Sequence, residues 1–401
     1  MKILQINVVY KNGSTGKIVD DISSYLKENG VESYVIYGRG EKAAEENVFK
    51  VSSESFSKIR NITSKVFGSH FGRAWIPTMR AVAIIKKINP DVVHLHCLNG
   101  YFINVYKLLH YLKINGIKTI LTLHAEIMHT GGCGHSFECK KWETGCGHCP
   151  NKSRNNGTFS FGRDDSARAW KRMKKSFDGF NNLTIASVSG WLSSRAERSP
   201  ILADKRHVVV HNGINTQVFR MYNESEVDDK IKKTFSRRPV VFHVTPSFES
   251  EIKGGRYLVE IAKKMPTTNF VVAGNYDSSI SYPDNIEFLG KINNQKILAQ
   301  CYSSSDLTVL TSEKETFSMI VAESLCCGTP IVGFKAGAPE TIAIKEFSEF
   351  VDFPNVEMLQ DTIYKWLAMD LDRIEICNQG QNKFDSKQMA NKYLKLYESD
   401  K

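Results

Sequence analysis

The first half of the chain alternates short apolar runs with stretches of helical periodicity. The apolar runs cover residues 2–9, 31–37, 91–96 and 119–124. The last two are rich in β-branched residues and lack polar alternation, which is typical of strands buried on both faces. Helical periodicity covers 17–29 and 101–113. Strands that alternate with helices predict βαβ units around a parallel sheet.

The same alternation restarts in the second half of the chain. Apolar runs lie at 239–244, 270–274, 286–290, 307–310 and 330–333, and helical segments lie at 255–264 and 295–303. The polar, charged residues 220–238 between the halves are interpreted as a linker. The pattern therefore predicts two successive α/β domains. Parallel sheets bind ligands at the carboxyl ends of their strands, so two such domains facing each other would enclose a central cleft.

Composition agrees with a folded protein of this kind. The chain has 401 residues, of which 41% are apolar and 24% charged, and this length suits two domains. No stretch approaches the roughly 18 apolar residues of a membrane-spanning helix. The first residues run directly into the first strand without the features of a signal peptide, so we expect a cytoplasmic protein.

The net charge of +10 is unevenly distributed. Residues 1–190 hold 27 Lys and Arg against 15 Asp and Glu, and residues 140–175 hold ten against three. Such a positive region attracts nucleic acid, anionic lipid or phosphorylated substrates, although a solvated face without a partner has the same composition.

A small-residue turn follows the first strand. Residues 11–18 resemble a phosphate-binding Walker A loop but lack its first Gly, at Lys11, and its Ser or Thr, at Ile18. The remaining turn, with Gly13 and Gly16, leads into a helix N-terminus and suits the approach of an anion or a sugar. An ordinary βα turn explains it equally well.

The segment from Glu315 to Glu340 carries the strongest chemical signal. Glu315 and Glu323 lie eight residues apart, and a helix is expected to start near Ser318. Such carboxylates accept hydrogen bonds from vicinal hydroxyls, while N–H groups at the helix start hold phosphate. The alternative is a surface Glu together with a Glu paired to a buried cation.

This segment resembles the Glu-x7-Glu donor-binding signature of retaining glycosyltransferases of family 4. Gly328 and Pro330 stand in their expected places, and Ser318 replaces the family's Gly. Other resembling elements follow the family's order along the chain: Ser187–Ser189, His211–Asn215 with Phe219, Ile252–Gly255 and Gly337–Glu340.

The resemblance implies the GT-B fold, with two Rossmann-like domains facing a cleft. Residues 1–220 would form the acceptor-side domain, 221–383 the nucleotide-sugar domain, and 384–401 a helix that crosses back to the first domain. Donor-site roles are implied for Glu323 on the ribose hydroxyls, Glu315 on the sugar hydroxyls and Lys253 on the diphosphate. Backbone amides around Phe317 and Ser318 would assist Lys253. His124 corresponds to the family's active-site His.

One departure concerns the diphosphate. The family usually has an Arg about five residues before the Lys, and residues 244–252 contain none. Lys253 and the helix start would therefore carry more of the stabilisation, and Arg256 is not assumed to substitute. The Asp-x-Asp at Asp370–Asp372 lies in the C-terminal helical region, so a metal-chelating donor site is not expected, and no cofactor is expected for catalysis. Retention of anomeric configuration is implied by the family alone.

Four cysteines form a separate cluster in a predicted insert at 129–150. Cys133, Cys139, Cys146 and Cys149 lie within 17 residues, and this spacing suits structural zinc. Reduced thiols in a Gly-rich loop and an iron–sulfur or redox role are the alternatives. A related subgroup of bacterial polysaccharide glycosyltransferases carries a similar insert.

The prediction is a retaining, metal-independent hexosyltransferase. It would use a UDP- or GDP-sugar and a polyprenyl-diphosphate-linked saccharide acceptor, in the synthesis of bacterial O-antigen, capsule or exopolysaccharide. The basic helix at 163–175 would make weak peripheral contact with anionic membrane, although a solvated helix has the same pattern. The alternatives are a GT-B nucleotide-sugar 2-epimerase and a nucleic-acid-binding protein. No nucleic acid partner is expected, because such binding would leave Glu315 and Glu323 without a role.

Overall fold

The computed structural model describes residues 1–67, 71–151, 159–160, 163–237 and 239–399. It divides the chain into two compact units: Met1–His211 with Lys387–Lys401, and Asn212–Ser386. The boundary follows His211 rather than residue 220. Residues 152–158 and 161–162, which belong to the positively charged region 140–175, lie outside the described residues.

The first unit is built on a parallel sheet with the strand order β3-β2-β1-β4-β5-β8-β9. Its strands are β1 Lys2–Val9, β2 Glu32–Arg39, β3 Val48–Lys50, β4 Val92–Leu95, β5 Lys118–Leu123, β8 Leu183–Ser187 and β9 Arg206–Val209, and a separate hairpin is formed by β6 Phe159–Ser160 and β7 Arg163–Asp164. Its helices are α1 Gly13–Glu28, α2 Glu54–Phe67, α3 Trp75–Ile88, α4 Val105–Ile114, α5 Ser166–Phe177 and α6 Gly190–Arg198.

The second unit repeats this architecture with the order β12-β11-β10-β13-β14-β15, again parallel. Its strands are β10 Val240–Ser247, β11 Asn269–Asn275, β12 Ile286–Gly290, β13 Leu307–Leu310, β14 Ile331–Phe334 and β15 Ser348–Val351. Its helices are α7 Asp229–Thr234, α8 Gly255–Lys264, α9 Gln295–Ser304, α10 Met319–Cys326, α11 Pro339–Ile342, α12 Val356–Leu367 and α13 Arg373–Phe384. The apolar runs of the sequence form strands of both sheets, and most of these strands are buried.

The last helix, α14 (Ser386–Glu398), packs on the sheet of the first unit. Met389, Ala390, Tyr393 and Tyr397 are buried in one cluster with residues of β1, β4 and β5. Two hydroxyls on this face are hydrogen-bonded inside the sheet: Tyr397 to His94 Nδ1 at 2.7 Å and Tyr393 to Thr122 Oγ1 at 2.9 Å. His94 therefore has a structural role in the core of the first unit.

Residues 220–238 were expected to be a linker, and the structure corrects this. They include α7, whose Ile231 is buried, together with the buried Val227 and Phe235. The Phe235 ring packs edge-on against Phe242 of β10 at 5.8 Å. Three apolar side chains among many charges are enough to dock this segment, because charged residues occupy only its solvent side.

Two element bounds also differ from expectation. Helix α1 begins at Gly13 rather than Lys17, since the small residues 13–16 form its first turn. The C-terminal region holds two helices, α13 and α14, which meet at Asp385. In the described part of the chain, no helix is both long and apolar enough to cross a membrane.

Candidate functional site

An ion pair lies at the carboxyl edge of the second sheet. Lys253 Nζ and Glu315 Oε1 are 2.7 Å apart, and both side chains are mostly buried. Lys253 directly precedes the Gly254–Gly255 start of α8, and Glu315 lies in the loop after β13. The structure thus joins two residues that are 62 positions apart and were both predicted to be in the site.

Gly254 and Gly255 are required by the close packing beside Lys253. Gly254 has φ +68°, and a Cβ there would lie 2.3 Å from the Thr311 carbonyl oxygen. A Cβ on Gly255 would lie 2.2 Å from the Phe248 carbonyl oxygen. The Thr311 hydroxyl also donates to the Lys253 carbonyl at 2.8 Å. These contacts fix the backbone that carries the lysine.

The position five residues before Lys253, where the resembling family usually has Arg, is Phe248. Its ring is buried and packs edge-on against Tyr282 at 5.6 Å and against Phe288 at 5.0 Å. An aromatic cluster therefore occupies this position. Arg256 lies in α8, where its guanidinium is hydrogen-bonded to the Tyr257 hydroxyl at 2.7 Å.

The loop that carries Glu315 is held by backbone pairing. The Glu315 N–H donates to the Ala336 carbonyl, and the Ala338 N–H donates to the Glu315 carbonyl. The Glu340 carboxylate accepts from the Ala336 and Gly337 N–H groups at 2.9–3.1 Å. Glu340 therefore positions the loop opposite Glu315, and the sequence marked it only as part of a resembling motif.

Phe317 and Ser318 connect Glu315 to helix α10. Phe317 is buried and lies edge-on to Phe384 at 6.2 Å. Ser318 precedes the helix with φ +76°, a conformation that glycine adopts readily and serine does not. The backbone at Ser318 therefore has a conformation typical of glycine although the residue is Ser, and the N–H groups of the first helical turn follow it.

Glu323 lies in the second turn of α10. Its Oε2 accepts a hydrogen bond from the Tyr302 hydroxyl of α9 at 2.9 Å, and its side chain is partly exposed. Burial raises the pKa of Tyr302, so the hydroxyl stays protonated and donates to the carboxylate. Sequence reasoning missed Tyr302, because nothing in the local pattern links α9 to α10.

In the first unit, His124 stands at the carboxyl end of β5 and is held by a hydrogen-bonded chain. Gln5 Nε2 donates to the Val19 carbonyl and to Ser23, so Gln5 Oε1 is an acceptor for His96 Nε2 at 3.1 Å. His96 Nδ1 then accepts from His124 Nε2 at 3.2 Å. This chain assigns His124 the tautomer whose Nδ1 is an acceptor.

Burial lowers the pKa of His124 to about 4, although part of its ring surface is exposed. The pKa of His96 is also lowered by burial and by its histidine neighbours. Both imidazoles are therefore neutral near pH 7. In the sequence, the polar residue Gln5 lies inside the apolar run 2–9. A polar residue in such a run is the one feature from which this hydrogen-bonded network could have been predicted.

Gly13 and Gly16 lie in the first turn of α1, after β1. Gly13 has φ +63°, and a Cβ on Gly16 would lie only 3.2 Å from the Lys11 nitrogen. The Lys11 N–H closes the turn by donating to the Gly16 carbonyl at 3.0 Å. The positive φ therefore accounts for Gly13, and close packing accounts for Gly16.

The four cysteines of the insert all lie within the described residues, and two of them are in direct contact. The Cys133 thiol is hydrogen-bonded to the Cys149 sulfur, and Cys146 interacts with the charges of Cys139 and Cys149. The hydrogen bond from Cys133 lowers the pKa of Cys149. Over the described ranges, no three His, Cys, Asp or Glu side chains are grouped as a metal ion would require.

A buried carboxylate ties this insert to helix α6. Glu126 Oε1 lies 2.6 Å from Arg195 Nε, and Glu126 Oε2 accepts from the Ser136 N–H. Burial raises the pKa of Glu126, but its interactions with His129, Arg195 and Ser136 outweigh this and bring the pKa to about 2. Sequence analysis did not single out Glu126.

The basic helix α5 differs from expectation on its apolar side. Trp170, Met173 and Phe177 are buried, and the Trp170 N–H donates to the Trp142 carbonyl at 2.9 Å. Arg168 and Lys171 remain exposed. The exposed face of α5 is therefore charged, and its apolar face is part of the core.

Comparisons with known proteins match this chain along both units. Residues 15–218 match the family described as Glycosyltransferase Family 4, and residues 225–383 match Glycosyl transferases group 1. The chain is 21% identical over the full length of both proteins to an Escherichia coli K12 protein described as the colanic acid biosynthesis glycosyl transferase WcaC.

The name of a second relative describes a transferase that acts on a lipid-linked saccharide. It is the Campylobacter jejuni N,N'-diacetylbacillosaminyl-diphospho-undecaprenol alpha-1,3-N-acetylgalactosaminyltransferase. The identity is 27%, over 48% of this chain and 54% of that protein.

Solved structures match in fold over nearly the whole chain. Sucrose-phosphate synthase from Thermosynechococcus elongatus has a TM-score of 0.67 at 15% identity, covering 99% of this chain and 98% of that one. Anabaena HepE in complex with UDP and glucose has a TM-score of 0.63 at 15% identity, covering 99% of both chains.

Proposed function

Because the chain belongs to glycosyltransferase family 4 and has the GT-B fold, we propose that this glycosyltransferase moves a hexose from a UDP- or GDP-sugar to a lipid-linked saccharide. The observation that carries the proposal is the Lys253–Glu315 pair beside the start of α10. The names of the E. coli and C. jejuni relatives support a setting in surface-polysaccharide synthesis, namely O-antigen, capsule or exopolysaccharide.

Each donor-site residue has a chemical role in this proposal. Lys253 neutralises the diphosphate, assisted by the backbone N–H groups at Phe317 and Ser318. Glu315 accepts hydrogen bonds from the sugar hydroxyls. Glu323, oriented by the Tyr302 hydroxyl, accepts from the ribose hydroxyls. Charge-assisted hydrogen bonds of this kind are shorter and stronger than neutral ones.

The ion pair also suggests how the site responds to the donor. The Glu315 carboxylate pairs with the Lys253 ammonium at 2.7 Å. A bound diphosphate would compete for the ammonium and release the Glu315 carboxylate toward the sugar. Cleavage of the sugar–phosphate bond develops negative charge on the diphosphate, and a fixed cation with backbone N–H groups stabilises that charge. The proposed stabilisation uses no metal ion, and retention of configuration is proposed on family grounds.

His124 is proposed to contact the transferred sugar in its neutral form. Its Nε2 donates to His96, and in this tautomer its Nδ1 has the character of an acceptor, which suits a sugar hydroxyl as donor. Gly13 and Gly16 are proposed to allow close approach of ligand at the start of α1.

The test is nucleotide binding to Glu323→Gln and Lys253→Ala, measured by calorimetry and thermal shift. UDP or GDP at 100 times its dissociation constant adds about 2.7 kcal/mol to wild-type stability. We expect each variant to bind about tenfold more weakly or worse, because each loses a charged partner. Glu357→Gln, an exposed carboxylate on α12, is the matched control and should bind as wild type. A wild-type protein that binds neither nucleotide would refute the donor assignment, and Glu323→Gln with unchanged affinity would refute the ribose role.

We further propose a structural zinc ion held by Cys133, Cys139, Cys146 and Cys149. The support is the position of four cysteines within 17 residues, the hydrogen bond between the Cys133 and Cys149 sulfurs, and the backbone N–H groups of Gly131 and Asn151 that donate to Cys146 and Cys149. Four thiolates supply the tetrahedral ligand set that zinc prefers. Zinc would cross-link an insert with little regular structure and would take no part in catalysis.

Elemental analysis of protein purified without added metal should show about one zinc per chain. Cys146→Ser should lower this content, whereas Cys97→Ser, a cysteine outside the insert, should not. Wild-type protein that is folded and metal-free would overturn the zinc site.

A further inference from the structure

Helices α3 and α4 carry an exposed apolar surface. On α3, Trp75 is 50% exposed, Ile76 59% and Met79 69%, and Ile114 at the end of α4 is 64% exposed. Burying large apolar side chains is favourable, so a group of them on one exposed face indicates an interaction surface. A groove of about 440 Å³ runs between the two helices and includes Trp75, Met79 and Ile114.

The same face is framed by lysines that lie over aromatic rings. Lys107 Nζ lies 3.4 Å from the centre of the Trp75 ring, and Lys86 Nζ lies 5.9 Å from the centre of the Tyr111 ring. The first contact joins the N-terminal ends of α3 and α4, and the second joins positions near their C-terminal ends. The two helices therefore lie side by side and run in the same direction. Each lysine covers apolar surface with its stem and keeps its charge at the edge.

The charge of this region is one-sided. Residues 55–125 contain ten Lys and Arg and a single acidic residue, Asp91. That carboxylate accepts from the Lys2 N–H at 2.7 Å and so belongs to the start of the sheet. Neither α3 nor α4 contains Asp or Glu. The exposed Arg80, Lys86 and Lys87 therefore meet no acidic neighbour on their own helix.

We propose that the α3–α4 face docks on an anionic lipid bilayer. Trp75, Ile76 and Met79 enter the boundary between headgroups and acyl chains, and Arg80, Lys86 and Lys87 contact lipid phosphates. Exposed apolar side chains combined with cations are the two features that hold a helix in the membrane interface, where Trp is favoured. Each cation near an anionic surface strengthens the attraction, and salt weakens it.

This assignment replaces the predicted contact through helix α5. Most cations of α5 are exposed, but its large apolar side chains Trp170, Met173 and Phe177 are buried, so they are not available to insert. The α3–α4 face supplies both features together. Docking does not depend on the donor chemistry, because all its residues lie in the first unit.

The test is co-sedimentation of the full chain with vesicles of phosphatidylcholine alone or with about 30% phosphatidylglycerol, at low and high salt. We expect wild-type protein to bind the anionic vesicles and to be released by salt. Ile76→Asp/Met79→Asp should bind roughly tenfold more weakly, because two inserted side chains become charged. Arg80→Ser/Lys86→Ser/Lys87→Ser should lose the preference for anionic lipid. This second variant tests the same face if Ile76→Asp/Met79→Asp does not fold.

Two controls separate this face from general surface effects. Ile374→Asp changes an equally exposed apolar residue (64%) in the second unit, and Lys171→Glu/Lys175→Glu changes α5. Both should bind vesicles nearly as wild type does, and every variant should keep its UDP or GDP response. Wild-type protein that ignores anionic vesicles would overturn the proposal, as would Ile76→Asp/Met79→Asp that binds unchanged. Self-association would overturn it as well. If sedimentation velocity shows that the wild-type protein self-associates and that Ile76→Asp/Met79→Asp does not, the face is covered by a second copy of the chain.

Discussion

Ser318 is the residue where local strain and the candidate site coincide. Its φ of +76° costs a non-glycine residue about 1–2 kcal/mol. Its buried hydroxyl also has no hydrogen-bond partner among the described residues. The strain persists because Phe317 on one side and α10 on the other are both packed. Backbone strain of this kind is found at ligand-binding turns.

Ser318→Gly is therefore expected to stabilise the second unit. Glycine relieves the strain, but it also gives the unfolded chain more conformational freedom, which lowers the free energy of unfolding by up to about 1 kcal/mol. The net increase in the free energy of unfolding is therefore about 0.5–1 kcal/mol. Thermal unfolding should shift upward by about 2 °C.

Ser318→Ala is the matched control for the hydroxyl. It keeps the Cβ and the strained backbone and removes only the unpartnered oxygen. If Ala stabilises the protein as much as Gly does, the hydroxyl rather than the backbone is the source of the cost.

At the scale of elements, α14 depends on polar contacts that the helical pattern does not reveal. The apolar stripe on residues 386–398 predicts a buried face but not its partner. The partner is the first sheet, where the Tyr397 hydroxyl lies 2.7 Å from His94 Nδ1 and His94 Nε2 lies 2.7 Å from Thr122 Oγ1. Burial lowers the pKa of His94 well below its usual value, so the ring is neutral.

Tyr397→Phe should destabilise the first unit by about 1–3 kcal/mol, because His94 Nδ1 would be left buried without its partner. Denaturant unfolding followed by intrinsic fluorescence would measure the loss. Tyr364→Phe, which removes a hydroxyl from a side chain 44% exposed on α12, should change stability by less than about 0.5 kcal/mol. Equal effects of the two substitutions would contradict the role assigned to His94.

At the scale of the whole molecule, buried histidines in both units determine the response to mild acid. Burial lowers the pKa of His124 in the first unit and of His243 in the second to about 4. An unfolded His titrates near 6.5, so between about 4 and 6.5 the unfolded chain binds protons that the folded chain does not. Stability is then greatest above this window and falls as the pH falls through it.

Unfolding free energy should be lower at pH 5 than at pH 7.5, by about 2 kcal/mol for each of these histidines. Glu126, with its pKa near 2, stabilises the folded chain equally at pH 5 and pH 7.5 and loses this contribution only as the pH falls below about 4.5, so it does not oppose the change. His243→Asn, which keeps a donor for the Val309 carbonyl, should reduce the pH dependence of the second unit alone. Identical stability at pH 5 and pH 7.5 would contradict these pKa values.

The sequence by itself determined the two α/β units and most of their strands, because apolar runs and helical periodicity are local consequences of burial. It also marked Glu315, Glu323 and Lys253, since these residues stand in motifs with definite spacing. Residues 220–238 were misread for the opposite reason. Three buried apolar side chains there are enough to pack a short helix against the second unit. The composition of the segment is dominated by its charged residues and does not reveal them.

Only the tertiary structure decided which residues meet. The Lys253–Glu315 pair, the Tyr302–Glu323 hydrogen bond and the Gln5–His96–His124 chain all join separate elements. The structure also showed that the apolar side of α5 is buried and that α3, beside its buried Ala81 and Ile85, leaves Trp75, Ile76 and Met79 exposed. Both helices are amphipathic in sequence, and periodicity shows that a helix has two faces without showing which face a neighbour covers, because burial is a property of the packed chain.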